Sequence, residues 1–77
     1  MIRELDIVAL TCDVPEEGLK RGDTGSVVDV LVDGAAFLVE FMDSDGDTIA
    51  VPFLTKNQVR PAAPGELQRA QSESAEK

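Results

Sequence analysis

Apolar positions along this chain come in short runs, several of them alternating with polar residues, and turn-forming residues separate the runs. A period of two is the mark of a strand with one face buried. Residues 5–10, Leu-Asp-Ile-Val-Ala-Leu, predict a first strand with β-branched residues at its centre, Val8 and Leu10 on one face and Asp6 solvated. Residues 26–32 predict the central strand, with Val28, Val30 and Val32 on one face and Val27, Asp29 and Leu31 on the other, wetter one. Residues 36–42 alternate cleanly: Phe37, Val39 and Phe41 face one way, Leu38, Glu40 and Met42 the other, and Glu40 marks the side that meets water. A fourth strand is expected over residues 48–53, with Ile49, Val51 and Phe53 on one face. Residues 59–61 suit a very short last strand stopped by Pro61.

Between these runs lies turn chemistry. Residues 11–22 hold Asp13, Pro15, Glu16, Glu17, Gly18 and Gly22 and read as a loop, whose one large apolar residue, Leu19, is expected to fold back onto the core. Gly22 and Gly25 frame a tight turn before the central strand. Asp33-Gly34 predicts a two-residue hairpin, because a type I′ turn needs positive φ at both central positions. Residues 43–47 form a polar turn, and residues 55–58 suit a single helical turn. Pro52 cannot donate a ladder hydrogen bond, so its strand is expected to have a free edge or to end there.

After Pro61 the composition shifts to Pro, Gly, Ser, Ala, Gln and Glu, with Leu67 the one large apolar residue. The chain therefore divides into a domain over residues 1–61 and a polar C-terminal tail over 62–77, either disordered or an exposed helix near residues 66–75. Five short strands with the long loop first, hairpins next and a helical turn before the last strand make an all-β, five-stranded SH3-like barrel.

The chain also resembles a family of small bacterial proteins known as a domain of unknown function. The resemblance is carried by residues 5–11, by Pro15-x-x-Gly18-Leu19-x-x-Gly22-Asp23-x-Gly25-x-Val27-Val28, by Val39-Glu40-Phe41 and by Val59-Arg60-Pro61. It implies the same SH3-like barrel and assigns no activity and no functional residue.

At 77 residues the chain supports one small domain with a thin stability margin. Cys12 is the single cysteine and there is no histidine, which removes disulfides and the usual zinc ligands. Oligomerisation is then the natural source of extra burial. The net charge of −8 repels phosphate backbones and anionic membranes. No apolar run approaches a membrane span and the N-terminus lacks a signal-peptide core, so the cytoplasm is the expected compartment.

The candidate chemistry is thin. Asp43-x-Asp45-x-Asp47 has the alternate carboxylates of a calcium loop but not its glycine and glutamate spacing, and reads as a solvated turn. Cys12 has no histidine base, and Glu16 and Glu17 sit in a turn-rich loop without a cleft to raise one pKa. No catalytic residue, metal site or cofactor is expected. Gly18-x-x-x-Gly22-x-x-Gly25 lacks the ending of a phosphate loop and leads into a strand, so its glycines read as turn formers. The segment from Gly22 to Val30 is similar to the KOW-type barrels of ribosomal proteins and elongation factors. Those bind RNA or protein, yet here a basic patch would have to be built from Lys20, Arg21, Lys56 and Arg60, and no Tyr or Trp can stack on bases.

The outward apolar residues carry more weight. With Val28, Val30, Phe37, Val39 and Phe41 inside, Val27, Leu31, Leu38 and Met42 gather into an outer patch, the mark of a contact surface. The expected function is a non-enzymatic interaction module that docks onto a second copy or a partner protein. The alternatives are a KOW-like nucleic-acid-binding barrel and an acidic protein that mimics nucleic-acid charge through Asp29, Asp33, Glu40, Asp43, Asp45 and Asp47.

Overall fold

A computed structural model of the chain describes residues 2–66. Its strands are β1 (Ile7–Leu10), β2 (Thr24–Leu31), β3 (Ala36–Met42), β4 (Thr48–Ala50), β5 (Phe53–Thr55) and β6 (Val59–Pro61). All neighbours are antiparallel, in the order β4-β3-β2-β1-β6, with β5 also on β3. The sheet is open rather than closed on itself. The all-β class holds. The tail reading for residues 67–77 lies outside the described residues.

Five predicted strands become six because of one residue. β4 and β5 both pair with β3, and Phe41↔Ala50 and Leu38↔Phe53 keep one register across the gap. In that gap Val39 N–H donates to the Pro52 carbonyl at 3.2 Å. A hydrogen-bonded antiparallel pair exchanges two bonds, and proline cannot return the second. Pro52 thus breaks one edge strand in two, with its nitrogen turned toward β3.

The central strand departs from strict alternation. Val27 pairs with Val39 but Asp29 pairs with Leu38, so Val28 is an extra residue in β2, a β-bulge. The Asp29 carboxylate accepts the Val30 N–H at 2.9 Å beside this irregularity. The bulge inverts the facing of β2. Val30 packs on the core as predicted, but upstream of the bulge Val27 points inward and Val28 outward.

Gly25 also takes a different role from the turn predicted for it. It lies buried within β2, opposite Val8, where a Cβ would sit 2.7 Å from the Glu40 carbonyl oxygen and 2.9 Å from Val39 Cγ1. Close approach of β2 to β3 is what requires glycine here. Gly22, at φ 92°, is a true turn glycine.

The core gathers Val8 and Leu10 from β1, Val27 from β2, Phe37, Val39 and Phe41 from β3, Leu54 from β5 and Val59 from β6. Val14 and Leu19 close it from the long loop by exchanging backbone hydrogen bonds of 2.9 and 3.1 Å. Between them Pro15–Glu17 make one 3-10 turn, with proline at a first position whose N–H has no partner to lose. Leu19 thus pins the loop as expected. Asp33 and Gly34 occupy the centre of the β2–β3 hairpin with positive φ, and Ala35 N–H closes the turn onto Val32. Residues 55–58 form a turn rather than a helix, closed by Gln58 N–H on the Thr55 carbonyl. Beyond β6, Ala62 N–H still bonds Ile7, and Glu66 makes a two-bond ion pair with Arg60, so the sheet holds residues assigned to the tail.

Candidate interaction surface

Of the four side chains predicted to form the outer patch, Val27 does not belong to it. It is 0 % exposed and sits in the core, because the bulge at Val28 reverses its facing. Leu31 and Leu38 are half-buried and Met42 is exposed. Leu38 and Met42 lie on the same face of β3 as Glu40, as the alternation requires.

The structure adds three residues to that face. Ile49, Val51 and Phe53 are exposed, whereas Leu54 and Pro52 point inward. Leu38 stands directly opposite Phe53, and the register sets Val51 beside Glu40. Sequence alternation grouped these three residues correctly, but the side they faced depended on pairing with β3. Phe53, one of the three aromatics of the chain, is 58 % exposed.

Glu40 sits in the middle of this apolar face, half-buried, and its Oε2 accepts the Thr48 hydroxyl at 2.6 Å. Beside it opens a cleft of about 470 Å³ between the end of the long loop and the β3–β4 hairpin. Phe41, Met42 and Ile49 supply apolar walls, and Asp23, Glu40 and Asp43 supply carboxylates.

Charge is distributed unevenly around the face. From Gly22 to Thr55 the chain carries Asp23, Asp29, Asp33, Glu40, Asp43, Asp45 and Asp47 and not one Lys or Arg. The cations among the described residues, Arg3, Lys20, Arg21, Lys56 and Arg60, belong to the other segments. The hydrogen bonds that Arg60 donates to the Glu66 carboxylate push the Arg60 pKa up, with their charge attraction adding to it.

The three aspartates of the β3–β4 turn lie within 4.8 Å of one another. Asp43 spends Oδ1 on the N–H groups of Asp45 and Asp47, at 2.9 and 3.0 Å, and its own N–H bonds the Asp47 carbonyl. That is the side-chain-closed turn for which aspartate is favoured. Cys12 is half-buried and Glu16 and Glu17 are exposed. Among the described residues, no polar or charged residue is fully buried and no helix is long and apolar enough to cross a membrane.

A family model described as a domain of unknown function (DUF4926) matches residues 4–61. No curated protein and no solved structure matches the chain.

Proposed function

We propose that this chain, which belongs to the DUF4926 family, is a non-enzymatic protein-interaction module of the cytoplasm that docks through the outer face of β3, β4 and β5. The observation that supports it is the exposure of Met42, Ile49, Val51 and Phe53 on the face that Leu38 and Glu40 share. Each of these side chains is about half exposed, so a docked protein recovers at most roughly half of the 1.5–3 kcal/mol that full burial of such a side chain contributes. The single, unpaired cysteine supports that compartment. The carboxylates around the face favour a protein over a phosphate backbone as the occupant.

The test is a photo-crosslinking amino acid placed at Phe53, with a control at Glu16 in the long loop. In cells of the native host, Phe53 is expected to give discrete protein adducts that Glu16 does not. Equal or absent adducts at the two positions remove the docking reading.

A further inference from the structure

Resting on that docking reading, we infer that the occupant is a basic amphipathic segment of another protein. Its apolar side chains cover Met42, Ile49, Val51 and Phe53, and a lysine or arginine sits against Glu40 at the adjoining cleft.

Charge complementarity carries this choice. The part of the chain that builds the face, from Ala36 to Thr55, has four carboxylates, Glu40, Asp43, Asp45 and Asp47, and no cation. A cationic group is attracted to those carboxylates, which raises the association rate and selects against anionic competitors. A second copy fares worse. A two-fold dimer would lay this anionic face against itself, and like charges brought together across an interface are unfavourable.

Glu40 gives the attraction a specific centre. Its carboxylate lies among apolar neighbours, and the Thr48 hydroxyl fixes its orientation at 2.6 Å. The cleft beside it combines carboxylates from Asp23 and Asp43 with the apolar walls of Phe41, Met42 and Ile49. A lysine or arginine matches that mixture, since its methylene stem covers apolar surface while its charged head reaches a carboxylate.

The test uses the full-length, isotopically labelled protein and three synthetic peptides, followed by amide chemical shifts. One peptide alternates leucine and lysine, a second replaces lysine with glutamine, and a third replaces leucine with serine. The first is expected to shift amides of residues 38–53 and 23–26, and each of the others to bind about tenfold more weakly, the scale of one charge-assisted contact or one buried apolar group. Glu40→Gln and Phe53→Ser, two separate variants at exposed or half-exposed positions, should each lose about tenfold, while Glu16→Gln combined with Glu17→Gln should lose less than about twofold.

Shifts spread evenly over the surface, with all variants alike, would reduce the interaction to general charge attraction and overturn the inference. Glutamine-peptide binding equal to that of the lysine peptide, on the same face, would overturn the cationic chemistry and leave the docking reading standing. A homodimer through this face, detected by sedimentation, would overturn the basic partner in favour of self-association. Absence of shifts on the face with every peptide would also overturn the inference, and the crosslinking experiment then decides the docking reading separately.

Discussion

Gly25 shows how one missing methyl group sets the distance between two strands. A Cβ at this position meets backbone as well as side chain: the Glu40 carbonyl at 2.7 Å, Val39 Cγ1 at 2.9 Å and Phe41 Cδ2 at 3.0 Å. The carbonyl belongs to β3 and cannot rotate aside as a flexible side chain would. Gly25→Ala should therefore destabilise the fold by about 1–3 kcal/mol, the cost of overpacking, read as a lower urea midpoint with an unchanged slope. A midpoint equal to that of the parent protein would show that β2 and β3 have room to separate. Nothing in the sequence distinguished this glycine from its neighbour at Gly22. Both stand in a turn-like motif, and only the pairing of β2 with β3 separates a conformational role from a spatial one.

At the scale of the element, β3 was the most legible part of the chain. Phe37, Val39 and Phe41 are buried and Leu38, Glu40 and Met42 face out, as strict alternation requires. β2 was legible only over residues 29–31; Val32, predicted to share a face with Val30, lies beyond the strand in the hairpin turn at positive φ and is exposed. A bulge adds one residue to the strand without altering its composition, so a valine-rich run hides the change of phase. The same limit applied to the edge strand, where the facing of Ile49, Val51 and Phe53 follows from register with β3 rather than from their own pattern. The outer face was therefore half-read: Leu38 and Met42 lie on it as the alternation predicts, Val27 turns inward, and Phe53 joins it through its pairing with Leu38. Two truncations separate these assignments. Val27→Ala should cost about 2–3 kcal/mol, since it opens a cavity at a fully buried site. Met42→Ala, at a position 49 % exposed, should cost under about 1 kcal/mol. Thermal or urea unfolding gives both values, and equal losses would contradict the facing of β2.

For the whole molecule, fold class was legible because short alternating runs and frequent turn residues leave little room for anything but strands. Charge was legible as a total, but its placement was not. Asp23, Glu40 and Asp43 come to line one cleft beside the outer apolar face only once β2, β3 and β4 lie side by side. That arrangement governs how copies meet. The net charge of −8 makes copies repel one another near neutral pH, and the repulsion vanishes near the isoelectric point of about 4.2. Light scattering across this range should show a monodisperse species at pH 7 and growing particles near pH 4.2. A constant particle size would mean that electrostatic repulsion is not what keeps the chains separate.

The inward-turned nitrogen of Pro52 explains why that repulsion matters. A proline whose ring faces solvent blocks the flank of a sheet, whereas this one interrupts only the bonds to β3. The main-chain amides of Val51 and Phe53 point the other way, toward the bare margin of the sheet. Nothing covalent therefore stops another ribbon from zipping alongside. A variant that trims the acids of the β3–β4 turn would give up solubility long before it lost its fold.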